Sequence, residues 1–110
     1  MTIYRLSETC AVSSQIEPSD IATLAADGFT TIICNRPDGE DFGQPDAAAV
    51  AAECDAHGLT FQNIPIDRSG LTMDMVERFR AAVASSTGPV LAYCRSGQRS
   101  SVLWQASGSP

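Results

Sequence analysis

Residues 26–35, ADGFTTIICN, contain the end of a helix, a glycine stop and a buried strand in direct succession. Gly28 suits the left-handed conformation that commonly ends a helix, and Phe29 to Cys34 is a run of strand-forming residues. Residues 56–65, AHGLTFQNIP, repeat the same order. A third helical segment is followed by TGPVLAY, residues 87–93. Helix followed by strand therefore occurs three times in series.

Three helices are predicted from apolar residues that recur at helical spacing. They cover Pro18–Asp27, Pro45–His57 and Thr72–Ser85, and Thr72 is of a type that caps helices. The residues expected to face the core are Ile21, Leu24 and Ala25 in the first helix, Ala47, Val50, Ala51 and Cys54 in the second, and Met75, Phe79 and Val83 in the third.

The strands read as nearly continuous apolar runs, which is typical of a sheet covered by helices on both faces. Together with the repeated helix-to-strand order, this predicts an α/β fold, a three-layer sandwich with a mostly parallel central sheet flanked by helices. Residues 3–6, IYRL, and 10–13, CAVS, are predicted to be edge strands, and RSSVLWQA, residues 99–106, a short last helix. The length of 110 residues predicts a single domain spanning residues 1–110.

The composition excludes several kinds of partner. Seven arginines and no lysine stand against thirteen acidic residues, for a net charge of −6. Nucleic acids and anionic membranes are bound through basic patches, so neither is expected as a partner. No run of about 18 apolar residues and no basic leader occur, so we expect a soluble cytoplasmic protein. The four cysteines are scattered and His57 is the only histidine, so no disulfide, metal or other cofactor is predicted.

The loop YCRSGQRSS, residues 93–101, carries the candidate chemistry. Cys94 lies where a strand ends and a helix begins, which is where ligands gather in an open α/β sheet. Backbone N–H groups and the helix dipole favour an anion at such a junction, and they also favour a thiolate. Gly97 suits the reversal of the backbone, and Arg99 can offer two parallel donors to a tetrahedral anion. The other residues of this predicted anion-binding loop are Arg95, Ser96, Gln98 and Ser100.

With these stretches the chain resembles the bacterial domains described as beta-lactamase hydrolase-like, phosphatase-like, which are related to dual-specificity phosphatases and in places labelled sulfur transferases. The resemblance spans nearly the whole chain, through RLS at 5–7, GFTTIICNRPDGED at 28–41, GQP at 43–45, HGLTFQNIPID at 57–67 and GPVLAYCRSGQRS at 88–100. It implies a protein-tyrosine-phosphatase-like fold with the nucleophile loop between the last strand and the last helix. The motif CRSGxRS alone is shared with rhodaneses.

The phosphatase resemblance implies that Cys94 attacks phosphorus and that Arg99 and the loop N–H groups stabilise the developing charge. Asp67, in the loop PIDRSG at residues 65–70, matches the place where dual-specificity phosphatases carry their general acid. The alternative for Asp67 is a solvated turn aspartate beside Arg68. We expect phosphate monoester hydrolysis through a thiophosphoryl intermediate on Cys94.

Sulfur transfer is the main alternative, with Cys94 carrying a persulfide taken from an anionic sulfane-sulfur donor. Tyrosine-phosphatase-type loops have five residues between cysteine and arginine, whereas rhodanese loops commonly have four, as here. Tyr93 also replaces a histidine that many tyrosine phosphatases have. Against this alternative, the chain has no GHIPGA-like stretch of the rhodanese kind. A non-catalytic module that binds anions is the third possibility.

Two further residues have open roles. Arg36 follows the strand that ends at Cys34, so it is a candidate for holding an anion, or else an anchor for the turn through Glu40 or Asp41. Cys34 is a candidate thiol for resolving an oxidised Cys94, or else a buried strand cysteine. The family name also implies a functional association with a metallo-hydrolase or a sulfur-metabolism enzyme.

Overall fold

The computed structural model describes all 110 residues. The predicted α/β fold is confirmed: a five-stranded sheet lies between two layers of helices. The elements in chain order are β1 (Ile3–Arg5), β2 (Cys10–Ser13), α1 (Ile21–Ala26) with a 3₁₀ turn at Pro18–Asp20 before it, β3 (Thr31–Cys34), α2 (Ala47–Ala56), β4 (Thr60–Asn63), α3 (Met73–Ser85), β5 (Val90–Tyr93) and α4 (Gln98–Ala106).

The strands lie in the order β1-β2-β5-β3-β4, and all neighbours are parallel except the antiparallel pair β1 and β2. The prediction that CAVS is an edge strand is therefore wrong. This strand, β2, is bonded to β1 on one side and to β5 on the other, and all four of its residues are buried. The second edge is β4, where Thr60, Gln62 and Asn63 are exposed.

Two apolar cores lie on opposite faces of the sheet because alternate strand residues point to opposite sides. One core joins α1 and α2 to the sheet through Leu24, Val50 and Leu91, among others. The other joins α3 and α4 to the sheet through Phe79, Leu103 and Ile33, among others. This arrangement explains why the interior strands are apolar on both faces.

The helices begin and end close to the predicted residues. Thr72 caps α3, and its hydroxyl accepts a hydrogen bond from the Met75 N–H at 3.2 Å. The deepest residues of α3 are Val76, Phe79 and Ala82, whereas Met75 and Val83 pack at the margin of the core. None of the helices combines the length and the apolar character that crossing a membrane requires.

Candidate functional site

The loop that follows β5 lies at the middle of the carboxyl edge of the sheet. Because β5 lies between β2 and β3, the ends of three parallel strands meet there. Cys94 donates its N–H to the Ser13 carbonyl at 3.3 Å, and Asn35 donates its N–H to the Tyr93 carbonyl at 2.8 Å. Cys94 is 1% exposed, so its sulfur lies at the floor of the loop. The sheet therefore fixes Cys94 from both neighbouring strands.

Gly97 turns the chain from this loop into α4. Its φ of +96° lies in the left-handed region, which glycine adopts without steric cost. A Cβ at this position would lie 3.4 Å from the Ser13 carbonyl oxygen. In this conformation the Gly97 N–H points at the Cys94 sulfur at 3.1 Å. Gly97, which was predicted to reverse the backbone, thus also donates a hydrogen bond to the Cys94 sulfur.

The Cys94 thiol differs from the other three cysteines in its pKa. Burial raises the pKa of Cys10, Cys34 and Cys54, and for Cys54 it reaches about 11. Burial opposes ionisation of Cys94 as well, but donors at the sulfur outweigh it and lower the pKa below its ordinary value. The lowering is caused first by the N–H and hydroxyl of Ser100 and then by the N–H groups of Gly97 and Ser96. Of these groups the Gly97 N–H makes a hydrogen bond to the sulfur, at 3.1 Å, while the Ser100 hydroxyl is buried without a hydrogen-bond partner. The loop therefore favours a thiolate at Cys94.

Arg99 is held by a carboxylate at the mouth of the loop. Its two terminal nitrogens donate to the two oxygens of Glu40, each at 2.8 Å, and Nη1 also donates to the Ile66 carbonyl at 3.0 Å. These bonds with Glu40 raise the pKa of Arg99, with a further contribution from the nearby Cys94 thiolate. In turn, Arg99, with a smaller contribution from Arg36, lowers the pKa of Glu40 to about 2. Arg99 therefore lies between a carboxylate and the sulfur.

Arg36 anchors the loop that carries Glu40. Its guanidinium nitrogens donate to Glu40 at 2.9 Å, to Asp41 at 2.7 Å and to the Gln15 side chain at 3.0 Å. The side chain is only 4% exposed. These contacts favour the anchoring alternative, because each guanidinium nitrogen has a partner inside the protein. That Arg36 also holds an anion stays a prediction.

Arg95 lies on the rim of the loop. Its side chain is 70% exposed, and its only ion pair is with Asp41 at 3.4 Å. The backbone of this rim is hydrogen-bonded to Gln15, whose N–H donates to the Arg95 carbonyl at 3.3 Å. A polar cleft of about 420 Å³ opens here, lined by Gly39, Glu40, Arg68, Arg95 and Arg99.

Asp67 lies in the exposed loop after β4, and its carboxylate accepts the Ser69 N–H at 2.8 Å. That bond is typical of the turn aspartate considered as its alternative role. The residue also lines a second cleft, of about 250 Å³, together with Ile66, Gly70, Leu71, Gln98, Arg99 and Val102. The fold therefore brings Asp67 to the same cleft as Gln98 and Arg99, which follow the Cys94 loop.

Glu40 is the residue at this site that the sequence did not single out as a partner of Arg99. The available signal was its place after β3, at the sheet edge where Cys94 also lies. No group of three or more His, Cys, Asp or Glu side chains is arranged to hold a metal ion. The site thus consists of a buried thiol, backbone donors, three arginines that line one cleft and the Glu40 carboxylate.

Comparison with known proteins adds a family relationship. The profile described as "Beta-lactamase hydrolase-like protein, phosphatase-like domain" matches residues 3–109. Proteins named beta-lactamase hydrolase-like protein from Agrobacterium fabrum and Xylella fastidiosa are each 33% identical, over 94% and 97% of this chain. The chain spans only 24% and 25% of their lengths.

Solved structures show the same fold. A protein from Neisseria meningitidis, named as a candidate phosphatase, is 40% identical with a TM-score of 0.83, over 94% of this chain and 74% of that one. The phosphatase PTPMT1 has a TM-score of 0.78 at 15% identity, over 96% of this chain and 70% of that one. At that identity the likeness concerns the fold alone.

Proposed function

The chain belongs to the family of beta-lactamase hydrolase-like protein, phosphatase-like domains, and from that premise we propose that it is a cysteine-dependent hydrolase of phosphate monoesters. The observation that carries the proposal is the buried Cys94 thiol at the carboxyl edge of a parallel sheet, where its sulfur accepts the Gly97 N–H at 3.1 Å and the loop donors lower its pKa. A thiolate is the reactive form of cysteine, and the N–H groups that stabilise it are also suited to bind the oxygens of a phosphoryl group.

In the first step the Cys94 thiolate attacks phosphorus, so the S–P bond forms while the bond from phosphorus to the ester oxygen breaks. The leaving oxygen keeps the electron pair and takes a proton from Asp67. Arg99 transfers part of its hydrogen bonding from Glu40 to the phosphoryl oxygens. In the second step water attacks phosphorus, its proton passes to Asp67, and the electron pair of the S–P bond returns to sulfur. The Ser100 and Gly97 donors stabilise the returning thiolate.

Hydrolysis of one aryl phosphate and one alkyl phosphate tests these roles. Cys94→Ser should abolish turnover of para-nitrophenyl phosphate and of an alkyl phosphate. Asp67→Asn should lower kcat for the alkyl phosphate about 100-fold, the size of a lost general acid, with a smaller effect on para-nitrophenyl phosphate, whose leaving group needs no proton. Asp55→Asn, an exposed aspartate on α2, is the matched control and should leave both rates unchanged.

Two results would count against these assignments. Turnover that survives in Cys94→Ser overturns the proposed nucleophile. An unchanged rate for the alkyl phosphate in Asp67→Asn removes Asp67 from the reaction and leaves it as a turn residue.

Sulfur transfer is a second candidate that a specific observation favours. Only four residues separate Cys94 from Arg99, and Arg99 is already bonded to both Glu40 oxygens and to Ile66. A shorter loop makes a narrower cradle with fewer convergent N–H donors for phosphoryl oxygens, and sulfur transfer needs no general acid. Cys94 would attack the sulfane sulfur of thiosulfate, the S–S bond would break with its electron pair leaving on sulfite, and cyanide would then remove the sulfur as thiocyanate.

Mass spectrometry separates the two candidates on one preparation. After incubation with thiosulfate, sulfur transfer predicts that one sulfur atom is added at Cys94 and that thiocyanate forms when cyanide follows. Phosphate hydrolysis predicts neither product. If both assays fail while phosphate still binds, the loop is a binding module without turnover.

Partners of the chain also belong to this proposal. The curated relatives are about four times as long as the matched region, and their name suggests a hydrolase alongside it. We propose that the chain acts with a metallo-hydrolase or a sulfur-metabolism enzyme on a small anionic substrate. Affinity purification of the chain from its own cells, with Cys94→Ser as a trapping variant, tests this association.

A further inference from the structure

The polar cleft beside the nucleophile loop contains more positive charge than one reacting group requires. Arg68, Arg95 and Arg99 line it with Gly39 and Glu40, and no hydrophobic residue contributes to its wall. Its volume of about 420 Å³ falls in the usual range of small-molecule sites. On a chain with a net charge of −6, three arginines around one cleft mark it as the place where an anion is attracted.

The arginines of this site differ in how firmly they are held. Arg36 and Arg99 donate to carboxylates at 2.7 to 2.9 Å and are mostly buried. Arg68 is exposed and makes no ion pair. Arg95 has one ion pair, at 3.4 Å, with an Asp41 that Arg36 already holds at 2.7 Å. Two guanidinium groups on one cleft are therefore free to bind a ligand.

We propose that this cleft is a second anion subsite and that the substrate is a small hydrophilic molecule with two anionic groups. The reacting group is bound at Cys94, and the second group, a carboxylate or a phosphate, lies between Arg68 and Arg95. The inference rests on one part of the proposed function, namely that the loop at Cys94 binds the reacting anion. It adds a substrate class, because a wall of arginines without apolar side chains favours a second charged group.

Charge complementarity gives the physical reason. Planar guanidinium groups match carboxylate and phosphate oxygens with paired donors. The contact between Arg95 and Asp41 is long and exposed, so a ligand that replaces it loses little. Arg68 gives up no ion pair. Both arginines can therefore turn toward a second anionic group at small cost.

Binding to the Cys94→Ser variant tests the subsite without turnover. Calorimetry would compare glycerol 3-phosphate, which has one anionic group, with 3-phosphoglycerate, which adds a carboxylate. We expect 3-phosphoglycerate to bind about tenfold more tightly, the gain of roughly two exposed charge pairs. In Arg68→Gln and Arg95→Gln the ratio of the two affinities should fall toward one. Propane-1,3-diol bisphosphate in parallel shows whether a second phosphate or a carboxylate binds better.

Arg78→Gln is the matched control, since it removes one positive charge from α3 outside the cleft and should leave the ratio unchanged. Equal affinities for glycerol 3-phosphate and 3-phosphoglycerate overturn the subsite alone. The same holds if Arg78→Gln lowers the ratio as much as Arg68→Gln, because the preference would then reflect net charge. If neither ligand binds, the proposed function and the subsite both fail. Competition against aryl phosphate turnover by the unmodified chain gives an independent measurement if Cys94→Ser does not fold.

Discussion

At the scale of single residues, the chemistry of Cys94 depends on a few donors rather than on exposure. All four cysteines are buried, and only Cys94 has a lowered pKa. The difference arises because Cys94 is followed by a turn and a helix start whose N–H groups have no partner within the helix. Cys34, by contrast, donates its thiol to the Arg36 carbonyl at 3.3 Å and packs in the core. Burial alone would make Cys94 as inert as Cys34.

Ser100→Ala should raise the pKa of Cys94. Ser100 is fully buried, and its hydroxyl has no hydrogen-bond partner and is free to donate to the Cys94 thiolate. Both its N–H and its hydroxyl lower the pKa of Cys94, and the substitution removes only the hydroxyl. Its loss should slow alkylation of Cys94 by iodoacetamide at pH 7 by about tenfold, the size of one hydrogen bond to a charged group. The rate measured against pH should show its midpoint moved to higher pH.

Ser101→Ala is the control for this experiment, because the Ser101 hydroxyl bonds the Gly97 carbonyl at 3.0 Å instead of the sulfur. Its alkylation profile should match that of the unmodified chain. A Ser100→Ala profile that coincides with that of Ser101→Ala would mean that backbone donors alone set the reactivity of Cys94.

Glu40 should contribute to stability in a pH-dependent way. Arg99 and Arg36 lower its pKa in the folded chain to about 2, whereas a free glutamate titrates at about 4.3. Because the pKa of Glu40 is lower in the folded chain than in the unfolded chain, ionised Glu40 stabilises the fold fully at pH values above the unfolded pKa. This stabilisation is lost as the pH falls through the folded pKa. The difference in unfolding free energy between the unmodified chain and Glu40→Gln should therefore shrink between about pH 4.3 and pH 2.

Urea unfolding at several pH values measures this difference. Glu77→Gln is the control, because Glu77 is exposed on α3 and makes no ion pair, so its difference should stay flat. A constant difference for Glu40→Gln down to pH 2 would show that neither Arg99 nor Arg36 lowers the pKa of Glu40 in solution.

At the scale of the elements, local signals predicted what the chain forms, but not which elements become neighbours. Gly28 and Gly58 end helices at positive φ, and the apolar runs after them are strands. The position of β2 could not be predicted from CAVS, since four apolar or small residues fit an edge or an interior strand equally well. Likewise, Glu40 and Arg99 are 59 residues apart, and only the folded sheet brings them together.

Gly97→Ala should affect stability and Cys94 together. Alanine in the left-handed conformation costs about 1–2 kcal/mol, and relief of that strain would turn the Gly97 N–H away from the sulfur. We expect a free energy of unfolding lower by that amount and slower alkylation of Cys94. Gly58→Ala has a similar positive φ of +75°, lies between α2 and β4, and meets no atom within 4 Å.

Gly58→Ala should therefore lose comparable stability in urea unfolding while Cys94 keeps its alkylation rate. If both variants slow alkylation of Cys94 equally, the cause is the lower stability of the whole fold and not the geometry of the loop. If Gly97→Ala alters neither quantity, the left-handed turn at the start of α4 is not what holds the N–H on the sulfur.

At the scale of the whole molecule, the sheet couples the two cores and the site. The same five strands have one apolar cluster on each face, and the loops at their carboxyl ends form the clefts. A site built from the ends of β2, β3 and β5 is therefore only as ordered as the sheet between the cores. The sequence predicted this layering from apolar runs on both faces. Of the side-chain partners at the edge, it offered Glu40 and Asp41 for Arg36 but did not predict the pair of Glu40 with Arg99.

If the sheet couples the faces, both cores should unfold in one cooperative transition. Ile21 and Ile64 are each fully buried, the first in the core with α1 and α2 and the second in the core with α3 and α4. Ile21→Val and Ile64→Val should each lower the free energy of unfolding by about 1 kcal/mol. Because the two sites share no direct packing cluster, the double variant should lose about 2 kcal/mol, the sum of the single effects.

Thermal unfolding followed by far-UV circular dichroism and by Trp104 fluorescence checks this coupling. Trp104 packs on the core that contains Ile64, whereas circular dichroism reports on all elements. Coincident transitions in all three variants would mean that one domain spans residues 1–110, as its length predicts. If Ile21→Val shifts the circular dichroism transition while fluorescence keeps its midpoint, the faces unfold separately, and the site would then lie on the boundary between two units of different stability.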